Sequence, residues 1–145
     1  MDHYSKENYQ LTQSVGFLLN RARNAVLMEM DAALKELDIT GQQMGILLSL
    51  TSGTASTPYE LSKLLEIDTG LMTRMLDKLE ARGLLTRSRS VDDRRVVNLI
   101  LTRKGEKVAE RIPDVAPKVL NRRLRHFTRQ EFAEFRRLLA KFGDA

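Results

Sequence analysis

The stretch that decides the fold is Thr57–Thr102, TPYELSKLLEIDTGLMTRMLDKLEARGLLTRSRSVDDRRVVNLILT. Thr57-Pro58-Tyr59-Glu60 opens a helix. The threonine oxygen can accept from the third backbone N–H, the glutamate can reach back, and proline suits the first helical position. Leu61, Leu64 and Leu65 follow at helical spacing. Ile67-Asp68 is long enough only for a turn, and either Asp68 or Thr69 can cap the helix that comes next. In that second helix Leu71, Met72, Met75, Leu76 and Leu79 share one face. Thr69, Gly70, Thr73, Arg74, Asp77 and Lys78 occupy the other, and Gly83 fits the left-handed residue that ends it. A small, polar, basic face on the first turns can approach a DNA major groove closely. Arg74 and Lys78 reach bases or phosphates from there. The same pattern also describes an ordinary amphipathic surface helix.

The residues after Gly83 favour the groove. Leu84 to Arg89 reads as a strand, Ser90 to Arg95 as a charged turn, and Val97, Leu99 and Leu101 alternate in a returning strand. Arg87, Arg89, Arg94 and Arg95 lie on or beside the hairpin tip. Arginines on a protruding loop can enter a narrow, electronegative minor groove or pair bidentately with phosphate. Asp92 or Asp93 can hold one of them extended by an ion pair. Helix, turn, helix and hairpin together make a winged helix-turn-helix.

These residues also carry a family resemblance. Asp93-Arg94-Arg95-Val96-Val97-Asn98-Leu99-Ile100-Leu101-Thr102 resembles the D-x-R-x5-L-T wing signature of the multiple antibiotic resistance regulator (MarR) family. LDKLEARGLL before the wing and LTRKGEK after it agree, and the likeness spans nearly the whole chain in length and element order. The resemblance implies a homodimer of winged helix-turn-helix subunits on pseudo-palindromic double-stranded DNA. It further implies a repressor relieved by a small ligand, with Arg95 as the wing arginine and Asp93 as its ion-pair partner.

Charge is divided along the chain. Residues 1–68 hold 5 Lys+Arg against 9 Asp+Glu, and residues 69–145 hold 19 against 10. The net therefore changes from −4 to +9 where the second helix of the unit begins. An acidic partner suits the basic half. With 145 residues and no cysteine, one domain with dimerisation arms is expected, without disulfides, thiolate zinc or a thiol redox switch. No apolar run is long enough for a membrane span and no signal peptide is seen, so the expected location is cytoplasmic, with no membrane partner.

Three regions follow: residues 1–37, an N-terminal dimerisation helix; 38–102, the winged unit; and 103–145, C-terminal dimerisation helices. The fold class is mainly α with a small β-hairpin. Residues 1–9 are polar and expected to fray. Apolar residues from Leu11 to Leu37 recur every three or four positions and predict one long helix. Thr40-Gly41-Gln42-Gln43 is a second capping box, before a helix apolar nearly all round and so buried. Thr102 can cap the helix after the wing. Arg103 and Lys104 then oppose its dipole, which suits a bound phosphate or plain solvation. Pro113 and Pro117 predict a break near Ile112 or a kink. Thr128-Arg129-Gln130-Glu131 is a third capping box, opening a last helix with Phe132, Phe135, Leu138, Leu139 and Phe142. This helix and the first are expected to pack on their mates across a two-fold axis.

Enzyme chemistry has no foothold. His3 and His126 lack neighbours at metal-ligand spacing, and no nucleophile elbow, P-loop or dinucleotide fingerprint occurs. No cofactor or metal is expected. Two classes remain: a dimeric DNA-binding regulator, or a winged-helix module for protein contact. Basic residues at both helix and wing favour DNA; a constitutive binder without effector is the alternative within that class. If an effector binds, Phe17, Arg21, Met44, Leu48 and Arg111 are the candidate lining, with core packing the competing role for the apolar three. An arginine there suits an aromatic or amphipathic organic acid, and the lack of cysteine disfavours the thiol-based peroxide sensing that some relatives use.

Overall fold

Local capping signals set the starts of the helices. The structure, a computed structural model, describes all residues Met1–Ala145. Helix α1 is Val15–Leu34, α2 Gly41–Ser52, α3 Pro58–Leu65 and α4 Thr69–Ala81. Strands β1 (Leu85–Arg89) and β2 (Val97–Leu101) follow, then α5 (Arg103–Leu124) and α6 (Arg129–Gly143). The boxes at Thr40 and Thr128 are both reciprocal. At Thr57 the hydroxyl accepts from the Glu60 N–H but also donates to the Glu60 carboxylate, so the return arm ends on the side chain. Asp68, not Thr69, caps α4, accepting from the Leu71 N–H at 3.0 Å.

Three expectations change. The helix foreseen over 11–37 is three pieces: a 3-10 turn at Leu11–Gln13, α1, and a 3-10 turn at Lys35–Leu37. Ser14 takes an extended conformation and its hydroxyl accepts from the Phe17 N–H, which restarts the helix. Asp38, left-handed at φ 55°, stops the chain at the other end. Apolar periodicity runs through both points because it reports the buried face and not the backbone. The start of the chain is also tied down: the Tyr4 hydroxyl accepts from the Val15 N–H at 2.8 Å, and Tyr4 meets Tyr9 edge-on. Helix α5 in turn runs unbroken through Pro113 and Pro117. Both prolines are exposed, while Ala109, Ile112, Val115 and Val119 on the opposite side stay buried. The pyrrolidine rings thus fall on the solvent side and leave the packing of the buried face unbroken.

The strands pair antiparallel, Leu85 opposite Leu101 and Arg89 opposite Val97. The Leu99 N–H is taken by the Ser56 carbonyl at 2.7 Å, so the loop before α3 lines the free side of β2. One core of 19 residues joins α1, α2, α3, α4, the hairpin and α5. Leu34, Ile46, Leu47, Leu61, Met72, Leu76 and Leu79 are among its fully buried members. Burying one such side chain stabilises by about 1.5–3 kcal/mol. The last 21 residues, from Arg125 onward, contribute none: all are exposed. Phe135, Leu138, Leu139 and Phe142 of α6 instead face Val15, Leu18, Leu19 and Ala22 of α1 across an open apolar trough of about 670 Å³. No helix is long and apolar enough to cross a membrane.

Candidate nucleic-acid interface

Helix α4 divides as its sequence foresees. Met72, Met75, Leu76 and Leu79 are buried, and Thr69, Gly70, Thr73, Arg74 and Lys78 are all exposed. Thr73 donates its hydroxyl to the Thr69 carbonyl at 2.9 Å. Gly70 leaves little room beside the cap: a Cβ there would lie 3.1 Å from Asp68 Oδ1. The Arg74 guanidinium lies over the same turn, 3.6 Å from that position. The reading face is therefore short side chains at the helix start, with one cation above them and a second, Lys78, a turn further on.

The wing tip is built around one carboxylate. Asp93 accepts from Arg95 three times: from its backbone N–H at 3.0 Å, from Nε at 3.1 Å and from Nη2 at 3.2 Å. The Arg95 side-chain and backbone donors hold the Asp93 carboxyl below its ordinary value. Such a contribution is present above the ordinary carboxylate pKa and lost only as pH falls through the depressed one. The pair is thus fully formed at neutral pH. Arg95 is fixed in direction yet remains 91% exposed along its side chain, so its other donors are free for a partner. Arg89 Nη1 donates to the Arg94 carbonyl at 2.9 Å and ties the two arms of the loop together. Arg94 itself is exposed.

Arg87 behaves differently from a tip arginine. It shares a strand face with the buried Leu85, because side chains alternate along β1. That face packs on α4, and Arg87 Nη1 meets Asp77 at 2.9 Å and Glu80 at 3.1 Å. It is a bracket between wing and helix, held by two carboxylates, and not a free cation. The residues sequence reasoning passed over are its partners and the pair Arg82–Asp38, at 3.1 Å, which ties the end of α4 to the corner after α1. The i, i+3 spacing of Asp77 and Glu80 opposite an inward strand arginine is the signal that could have found the first pair.

The effector candidates differ in burial. Met44 and Leu48 are half-buried against the core, Phe17 is half-buried on α1, and Arg21 and Arg111 are exposed. None of the five borders the trough between α1 and α6. Lys104, considered for a phosphate, instead donates from Nζ to the Arg82 carbonyl at 3.0 Å.

Known proteins share both sequence and shape with this chain. The MarR family profile matches residues 39–97. The chain is similar to the multiple antibiotic resistance protein MarR of Escherichia coli strain K12, 34% identical over 125 residues, which are 86% of this chain and 85% of that protein. It is 32% identical over 119 residues, 82% of this chain and 78% of the relative, to the organic hydroperoxide resistance transcriptional regulator of Bacillus subtilis strain 168. Among solved structures, a cysteine-to-serine mutant of E. coli MarR complexed with operator DNA superposes with a TM-score of 0.84 at 29% identity, over 92% of this chain and 99% of that one. BpsR of Bordetella bronchiseptica, from work on regulation of its DNA binding by 6-hydroxynicotinic acid, superposes with a TM-score of 0.87 at 26% identity, over 94% and 98%.

Proposed function

The chain belongs to the MarR family of transcriptional regulators, and from that premise we propose that it works as a homodimer on a pseudo-palindromic DNA operator, as a repressor. One observation carries the reading. The exposed face of α4 and the Asp93-oriented Arg95 are basic, free of protein partners on their outer side, and belong to one rigid lobe. Thr69, Gly70, Thr73, Arg74 and Lys78 enter the major groove, and small residues at the helix start allow the close approach that base reading needs. Arg95, with Arg94, lies along the flanking minor groove, where narrow A·T-rich DNA concentrates negative potential. Arg89 and Arg87 act from behind, one closing the wing loop and the other fixing the wing to α4. The relative of known structure that is complexed with operator DNA supports this assignment.

The open trough between α1 and α6 supports the dimer. Phe132, Phe135, Leu138, Leu139 and Phe142 are 39% to 57% exposed in the single chain, an apolar surface that a second copy covers. Residues 1–37 and 103–145 then hold the two lobes apart, and residues 38–102 read the DNA. Relief of repression falls to an organic acid, by analogy with the hydroxynicotinic acid that regulates BpsR. Phe17, Met44 and Leu48 supply an apolar wall and Arg21 or Arg111 the cation. Such a ligand releases DNA only if it binds the released geometry better than the DNA-competent one.

The test is fluorescence anisotropy with duplexes from the gene's own upstream region, titrated with salt and with salicylate-like acids. Binding that falls steeply and linearly in log salt is expected, from release of several counterions. A flat salt response points to a protein-contact module. Acids that raise the melting temperature and leave DNA affinity untouched contradict the effector reading.

A further inference from the structure

The end of α4 and the start of α5 meet in one compact joint. The last carbonyls of a helix lack partners within it. In α4 the next residues supply them, the Arg82, Leu84 and Gly83 N–H groups donating to the Lys78, Leu79 and Glu80 carbonyls, and the start of α5 then binds the carbonyls of that closing turn. The Thr102 hydroxyl accepts from the Gly105 N–H at 3.1 Å, capping α5, and donates to the Gly83 carbonyl at the end of α4. A single hydroxyl thus ties the start of α5 to the turn that ends α4. The Thr102 N–H donates to the Leu84 carbonyl at 3.1 Å, and Lys104 Nζ donates to the Arg82 carbonyl at 3.0 Å. Lys104 opposes the dipole of its own helix but matches the negative end of α4, which accounts for its sign.

Gly105 sets how closely the helices approach. It is buried, and a Cβ there would lie 1.9 Å from the Leu84 carbonyl oxygen and 2.9 Å from its carbon. Those are backbone atoms, and Leu84 cannot retreat, since it and Leu85 are fully buried in the core. Any larger residue must move α5 away from α4. On the other side the Arg82–Asp38 pair limits the swing of α4. Helix α5 has 22 residues, about 33 Å at 1.5 Å per residue. A tilt of about 10° at the joint displaces its far end by about 6 Å over that length.

We infer that Thr102, Lys104 and Gly105 form a fixed joint on the carbonyl end of α4 that sets the angle between each recognition helix and its dimerisation helix, and thereby the half-site spacing the dimer accepts. They are positioning residues for DNA reading and touch no DNA themselves. The inference rests on the proposed function, in which two copies of α4 read one duplex about 34–36 Å apart.

The test uses the full-length protein and duplexes that the wild type enriches from a randomised pool. Each is rebuilt with one base pair removed or added between its half-sites, and once as an isolated half-site. Affinities are measured for wild type, Thr102→Val, Thr102→Ser, Lys104→Met and Gly105→Ala, with folding and dimer state checked by melting and sedimentation. Thr102→Val and Gly105→Ala are expected to lose about tenfold or more on the best-spaced duplex, a difference near 1.4 kcal/mol. Their preference should flatten or move to a neighbouring spacing, while half-site affinity changes by less than about twofold. Thr102→Ser, which keeps the hydroxyl, should restore the wild-type optimum, and Lys104→Met should flatten it less. If Gly105→Ala does not fold, Thr102→Val and Lys104→Met decide. Equal losses on half-site and full site, or an unmoved optimum in folded Thr102→Val, overturn the joint alone. A wild type that enriches no duplex, or none with two half-sites, overturns the proposed function and this inference with it.

Discussion

Helices α4 and α6 are alike in sequence and opposite in circumstance. Each starts with a side-chain cap, each carries an apolar stripe at three- and four-residue spacing, and each presents charge on the other face. In α4 the stripe is covered: Met72, Leu76 and Leu79 have no exposed surface. In α6 no residue is buried, and Phe142 is 57% exposed. The difference teaches that amphipathicity names the face of a helix that wants cover and is silent about what provides it. The lobe around α4 completes itself within one chain, whereas α6 needs atoms from outside it. Function divides in the same way. On the function proposed above, the self-sufficient lobe carries the DNA-reading face, and the unfinished helices set how many lobes there are and how far apart they stand.

Breaking α6 should have the largest effect. Deleting Thr128 to Ala145, or combining Phe135→Glu with Leu138→Glu, removes the apolar cover from the partner's helices. Sedimentation is expected to show aggregate or unfolded chain after the deletion and loss of the dimer in the double variant. A well-behaved folded monomer after the deletion rules out an obligate terminal-helix interface. The matching change in α4 is Leu76→Ala, which leaves a cavity in the lobe's own core. It should cost about 2–5 kcal/mol in chemical denaturation and leave the dimer interface untouched at concentrations where the protein is folded. If Leu76→Ala dissociates a folded dimer, the two regions are not independent.

Smaller effects distinguish the parts of the reading face. Arg95→Ala should weaken binding to all DNA sequences by about tenfold, about 1.4 kcal/mol, the uniform loss expected of a cation that reads no base edge directly. Arg74→Ala should also blur base preference, seen as a flatter profile across single-base variants of a selected site. Unchanged affinity for Arg95→Ala near 0.15 M salt means that the wing does not touch the duplex. Smallest of all is Arg87→Ala. Its bracket to Asp77 and Glu80 is partly solvent-exposed, so stability should fall by only about 0.5 kcal/mol. A loss of DNA affinity as large as that of Arg95→Ala would show Arg87 acting on DNA and not on α4.

Much of the winged unit was legible because its signals are local. Caps at Thr40, Thr57, Asp68, Thr102 and Thr128 lie within four residues of the N–H groups they satisfy, and the hairpin alternation needs only two short strands. An aspartate–arginine pair at the wing tip was legible from composition with Asp92 and Asp93 both open, and the resemblance to the MarR family singled out Asp93 and Arg95, which do pair. What escaped depends on tertiary direction. Arg87 was grouped with the tip arginines by composition, although its place on the Leu85 face of β1 turns it inward. Lys104 seemed misplaced because its carbonyl partner is 22 residues earlier in the chain. The helix over 11–37 was drawn too long, since apolar spacing continues through the Ser14 restart and into the turn before Asp38. Pro113 and Pro117 pointed to a break or a kink, and their solvent-facing positions let α5 continue without the break. The effector residues were the least legible, because neither apolar spacing nor charge distinguishes a pocket wall from core packing: Met44 and Leu48 lie half-buried against the core, while Arg21 and Arg111 are exposed.

The central claim is that two α4 helices of one dimer read successive major-groove faces of one duplex while the wings lie in the flanking minor grooves. Hydroxyl-radical footprinting on a duplex selected by the wild-type protein tests it most directly. The account predicts two protected patches related by a dyad, with centres one helical turn, about 10–10.5 base pairs, apart, and weaker outer protection that disappears in Arg95→Ala. One continuous patch the width of a single half-site, or outer protection that survives Arg95→Ala, contradicts it.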